Sequence, residues 1–263
     1  MTRILVHFGL HKTGTSTAER TLELNAAALA AQMQVVTRKT WDDVSKAAKV
    51  FSAQPQNNRL AAFAAVLSAR LASINDQRDL CISNVDLSGR LPGHHRVNSY
   101  AAVPVLVGQI KQCLIARFGN TADIEFMIST RPAKDWLKSL WWQNLKVDRL
   151  TDDLTTFSDR LRPVSDFSGL LADIQAALGN TKLHMTDLGK TGGLHLGPAA
   201  PVLAAMGLSA EQMLPLLQGP RLKQSLPADL QQAILMLNRS DLSQQELKET
   251  KSETLSLLNA VMQ

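Results

Sequence analysis

The stretch HFGLHKTGTSTAERTL, residues 7 to 22, concentrates residue types that can do chemistry. An apolar strand ends at Gly9, Lys12 sits inside the turn, Thr13, Gly14, Thr15 and Ser16 follow, and a helical pattern takes over. A strand that runs through a glycine-bearing turn into a helix aims main-chain N–H groups and the positive helix end at one point, which suits an anion. Gly14 lets the main chain approach such a ligand, and the three hydroxyls can bind its oxygens. An ammonium at position 12 can neutralise charge that develops there. Gly9 and Gly14 have the spacing of the nucleotide loop G-x-x-x-x-G-K-[ST], but Thr15 and Ser16 stand where that loop has its lysine and hydroxyl. The plainer reading of these residues is a glycine turn with an N-capping hydroxyl and a solvated lysine.

A second junction of the same kind is FMISTRPAKDWLKSLWW, residues 126 to 142. Arg131 closes the strand and Ser139 follows eight residues later in the helical segment. A guanidinium donates two hydrogen bonds in a fixed fork and so fits a phosphate; alone, the same arginine reads as one half of a surface ion pair. With both junctions in this order, the chain resembles the sulfotransferases that use 3′-phosphoadenosine 5′-phosphosulfate (PAPS). The resemblance implies that Lys12, Thr13, Gly14, Thr15 and Ser16 form the 5′-phosphosulfate loop and that Arg131 and Ser139 bind the 3′-phosphate. It also implies a P-loop-NTPase-like three-layer sandwich, a central parallel sheet flanked by helices, and a reaction that needs no metal.

Elsewhere the resemblance is thinner. DLCISNVDLSG looks like the family's second strand and acceptor-side loop. GPRLKQSLPADLQQAILMLNRS looks like the late segment that closes over the nucleotide, with Lys223 and Ser225 assisting the phosphates. Many cytosolic relatives have a tryptophan directly after the loop, where this chain has Thr17, so the adenine platform is unassigned. Trp136, Trp141 and Trp142 read as core or helix-face residues.

In-line attack of an acceptor hydroxyl or amine on the donor sulfur calls for a base within hydrogen-bonding reach. Many bacterial relatives read Ser-Ser-Glu near the second strand, whereas this chain reads Ser83, Asn84, Val85 and Asp86, with Val85 in the glutamate's place. Asp86 is the first candidate base, provided the strand ends early or bulges. His11, beside Lys12, is another, and His94 and His95 follow in the next loop; imidazole is the side chain best suited to exchange a proton near neutral pH. Val85 keeps a second function open, a nucleotide-binding sensor or interaction module without sulfuryl transfer. A third, phosphoryl transfer, is opposed by the missing lysine after Gly14 and by the lack of a magnesium-binding aspartate at the end of an apolar run.

These residues need elements to position them. RILVHF, DLCISN, IEFMIST and KLHMTDL are short apolar runs bounded by polar or turn residues and read as strands. STAERTLELNAAALAAQ, NNRLAAFAAVLSARLASI and the stretch from Tyr100 to Phe118 have helical spacing and alternate with them, which implies an α/β fold with a parallel sheet. The remainder is mostly helical, from PAKDWLKSLWWQNLK to SQQELKETKSETLSLLNAVM, with loops at 88 to 98 and 188 to 198. Neither loop resembles a linker, so residues 1–263 are expected to form one domain.

Composition sets the outer limits. At 263 residues, 45% hydrophobic and 19% charged, the chain has enough apolar residues to build a core without staples. A net charge of +5 suits an anionic small molecule but is too modest and scattered to argue for nucleic acid. Cys81 and Cys113 lie in apolar runs and read as buried thiols in a reducing compartment. No apolar run reaches the roughly 18 residues of a membrane span, and the start has no leader pattern, so a cytoplasmic protein is expected. The acceptor, a small molecule such as a phenol or a carbohydrate, lipid or peptide, is open, as is the oligomeric state, and the loops around 35 to 60, 86 to 98 and 188 to 198 are expected to distinguish these acceptors.

Overall fold

The computed structural model describes residues 2–75, 78–94, 97–220 and 227–261. Its first half alternates strand and helix: β1 (Arg3–Gly9), α1 (Thr15–Leu24), the single turn α2 (Ala26–Leu29), β2 (Met33–Thr37), α3 (Asp42–Ala53), α4 (Asn57–Ala72) and β3 (Asp79–Ser83). A 3-10 turn, Val85–Ser88, leads towards α5 (Val103–Phe118), β4 (Asp123–Thr130), α6 (Ala133–Val147), α7 (Leu154–Ser165), α8 (Ser168–Leu178) and β5 (Leu183–Asp187). The short α9 (Leu188–Thr191), α10 (Ala200–Ala205) and α11 (Ala210–Met213) precede α12 (Ala228–Arg239) and α13 (Gln244–Val261).

The five strands form one sheet in the order β2-β3-β1-β4-β5, with every pairing parallel. Helices cover both faces, giving the expected three-layer sandwich. Alternation along β1 divides the core: Ile4, Val6 and Phe8 join one apolar cluster with Ile82, Phe126 and Trp136, while Leu5 joins another with Cys81, Met127 and Leu22. Each fully buried aliphatic or aromatic side chain contributes about 1.5–3 kcal/mol, so a one-residue slip of this central strand would be expensive. β1 is also where the chain changes direction across the sheet, with β3 on one side and β4 on the other. The crevice at the carboxyl ends of such strands is where this architecture binds ligands.

Four of the five strands match their sequence signals. β2, MQVVT, is not among those expected: its β-branched run Val35–Thr37 is short, and it pairs with β3, where Val35 and Val36 sit opposite Cys81 and Ile82. The helix expected over STAERTLELNAAALAAQ breaks at Asn25, whose side chain donates to the carbonyls of Thr21 and Leu217 and accepts from Leu217 N–H. That side chain stitches the end of α1 to a segment almost two hundred residues away. Cys81 and Cys113 are buried and unpaired, and burial pushes the Cys81 thiol up to about 12. No helix among the described residues is long and apolar enough to cross a membrane.

Candidate active site

The turn after β1 is built by two glycines and a strained lysine. A Cβ on Gly9 would lie 1.8 Å from Thr15 Oγ1, so only glycine lets the first turn of α1 sit over the strand end. Lys12 (φ 70°) and Gly14 (φ 91°) both take left-handed backbone and together reverse the chain into α1. The Gly14 carbonyl accepts from Thr17 and Ala18 N–H, and among the described residues no side chain caps this end of the helix. Thr13 is buried; its hydroxyl donates to the Leu10 carbonyl at 2.5 Å and braces the turn from within.

The second junction meets the first because β4 lies beside β1, with Gly9 opposite Ser129. Arg131, two residues further on, enters next to the loop and donates to the Lys12 carbonyl at 3.4 Å. Pro132 then admits α6, whose Trp136 indole donates to the His11 carbonyl at 2.8 Å. Ser139 is buried one turn later, and after another turn Gln143 accepts from Lys12 Nζ at 3.3 Å. Helix α6 therefore holds the loop through both main chain and side chain.

A cavity of about 640 Å³ opens over these elements, a size suited to a cofactor-sized ligand. Lys12 and the Gly14–Thr17 turn form one wall, and Arg131, Ser139 and Gln143 form the next. Leu188, Thr191 and Pro198 close a third side, with Leu188 and Pro198 packed so tightly on Gly14 that a Cβ there would come within 2.6 and 3.0 Å of them. Thr13 is the one loop candidate whose side chain does not reach this space.

The remaining side is formed at the end of β3. Asn84 caps the following turn by accepting from Asp86 N–H at 2.9 Å, which swings the Asp86 carboxylate into the cavity. The side chain is 4% exposed, with Lys49 Nζ at 2.6 Å, His11 Nε2 at 3.9 Å and Arg38 at 4.0 Å. The Tyr100 hydroxyl accepts from His11 N–H at 2.9 Å and lies 3.2 Å from His11 Nδ1, with the two rings stacked. Asp86 and His11, proposed from separate segments, thus face one another. His94 also reaches the cavity and pairs through Nδ1 with Asp148. His95, Lys223 and Ser225 lie outside the described residues.

The sequence reading missed several of these groups. Glu19 is a buried carboxylate on α1 that accepts from Val85 N–H at 2.9 Å and lies 3.9 Å from Arg38. Its signal was available, because a charge on the same helical stripe as Ala18 and Leu22 must find a partner. Arg38, Lys49, Arg90 and Gln143 had no local signal; tertiary structure alone gathers them. Trp136, Trp141 and Trp142 are buried, as their core reading expects.

Beneath the loop, His7 on β1 bridges two hydroxyls, with Nδ1 2.8 Å from Ser83 Oγ and Nε2 2.8 Å from Ser129 Oγ. One ring nitrogen donates and the other accepts, so the neutral ring is satisfied. Complete burial lowers its pKa to about 4.

No family model matches the chain, and no curated protein matches it in sequence. Among solved structures it is similar to a sulfotransferase from Alicyclobacillus acidocaldarius, at 12% identity and a TM-score of 0.46, covering 92% of this chain and 97% of that one.

Proposed function

We propose that the protein transfers a sulfuryl group from PAPS to a hydroxyl or amine of an acceptor. The observation that carries this reading is that two strand-to-helix turns, one with Lys12 and the other with Arg131, come from adjacent strands and open on one cavity. In this reading Arg131 and Ser139 bind the 3′-phosphate, while Gly14, Thr15, Ser16 and the start of α1 bind the phosphosulfate, with Thr13 bracing the turn. As the acceptor oxygen or nitrogen bonds to sulfur, the bond from sulfur to the bridging oxygen breaks and adenosine 3′,5′-bisphosphate leaves. Lys12 meets the charge that collects on the departing phosphate. Asp86 takes the acceptor's proton, with His11 beside it.

The test is calorimetric titration with adenosine 3′,5′-bisphosphate, with ATP and magnesium as the control. Binding of the bisphosphate in clear preference to ATP is expected; the reverse preference would replace this reading with phosphoryl transfer. One observation favours a second reading, a nucleotide-binding module without transfer. The residue at the β3 turn is Val85, and the carboxylate nearest its main chain, Glu19, is committed to the Val85 N–H. That reading expects bisphosphate binding with no radiolabelled sulfate passed to any acceptor.

A further inference from the structure

Beyond Asp86, the described residues of the cavity wall include three cations that the donor motifs do not use: Arg38 after β2, Lys49 on α3 and Arg90 after the 3-10 turn. Two are matched. Lys49 pairs with Asp86, and Arg38 lies between Asp86 and Glu19. Arg90 is the surplus charge, since no carboxylate lies within ion-pairing distance of it among the described residues.

Arg90 is nonetheless held in place. Its main-chain N–H donates to Ser52 Oγ at 2.8 Å and its Nε donates to the Lys49 carbonyl at 3.3 Å. Gly89 before it has φ 77° and sits so close to α3 that a Cβ would fall 2.4 Å from Ser52 Cβ. A guanidinium anchored through Nε keeps its two terminal nitrogens for another partner, and a planar oxyanion fits that fork. Leu91, the next residue in the chain, and Val147 at the end of α6 also line the cavity and add apolar surface to it.

We propose that this wall is the acceptor subsite and that the acceptor is an organic anion. Its carboxylate or similar oxyanion binds Arg90, its apolar body lies on Leu91 and Val147, and its hydroxyl or amine faces Asp86. The inference rests on the donor reading above and adds the substrate class.

The test uses radiolabelled PAPS with hydroxy and amino carboxylic acids, each paired with its methyl ester, beginning with 3-(4-hydroxyphenyl)propionate. The wild type is expected to favour the acids by about tenfold or more in kcat/KM. Arg90→Gln should lose that preference and Arg90→Lys should keep part of it, with bisphosphate affinity unchanged in both. Equal use of acids and esters, a preference that survives Arg90→Gln, or bisphosphate binding with no acid used overturns the inference. Failure of the wild type to bind bisphosphate instead removes the donor reading, and this inference with it.

Discussion

Arg131 donates a hydrogen bond to the main-chain oxygen of Lys12 at 3.4 Å, joining the turn after β4 to the turn after β1. At that length the bond adds little stability, and the guanidinium's fork is better used on a phosphate. Arg131→Ala should weaken adenosine 3′,5′-bisphosphate binding by about tenfold to a hundredfold, the equivalent of one lost charge-assisted interaction. Arg131→Lys should recover only part, because an ammonium keeps the charge without the fork. Calorimetric titration of both variants checks this; unchanged affinity in Arg131→Ala would exclude Arg131 from the donor site.

The left-handed backbone of Lys12 separates what its side chain does from what its main chain costs. A non-glycine residue at φ 70° is strained by about 1–2 kcal/mol, part of which a glycine gives back in unfolded-chain entropy. Lys12→Gly is therefore expected to be more stable than Lys12→Ala by about 1 kcal/mol, with sulfuryl transfer lost from both. Chemical denaturation measures the difference. Equal stability of the two variants would mean that the turn relaxes when the lysine is removed.

Much of the fold and part of the site can be read before the structure, for reasons that particular residues make plain. β1, β3 and β4 are buried on both faces, so their sequences are nearly unbroken apolar runs; the edge strand β2 has only the short β-branched run Val35–Thr37. Lys12 and Gly14 are legible because turn and helix end are local features. Gln143 is not, because its contact with Lys12 depends on β4 lying beside β1. The same holds for Lys49, which meets Asp86 only when α3 packs on the 3-10 turn. Glu19 was legible in principle, as a carboxylate on the buried stripe of α1.

His7 gives the fold a pH dependence. Burial holds its pKa at about 4, against 6.5 ordinarily, so below pH 6.5 the unfolded chain takes up a proton that the folded chain refuses. Stability is then complete above about pH 6.5 and falls as the pH drops to about 4, by roughly 3 kcal/mol in all. His7→Gln should have a shallower loss over this window, whatever its stability at neutral pH. Denaturation midpoints at a series of pH values decide the matter, and parallel profiles for the two proteins would show that His7 is not the group responsible.

The Asp86 carboxylate has contacts of two kinds. Its 2.6 Å pair with Lys49 ties the 3-10 turn to α3, a structural duty, yet the carboxylate also faces His11 inside the cavity. Lys49 and Arg38 are partly exposed, so water can take over when the carboxylate is removed, and the variant is expected to stay folded. Removing a base that takes the acceptor's proton should cost about 10²–10⁴ in kcat. Asp86→Asn nearly preserves the shape, and it is expected to bind bisphosphate as the wild type does while transferring sulfate at least a hundredfold more slowly. Equal kcat would take Asp86 out of the proton's path and make His11→Gln the next variant to measure. A loss of bisphosphate affinity together with kcat would instead mark Asp86 as a support for the loop, acting through His11.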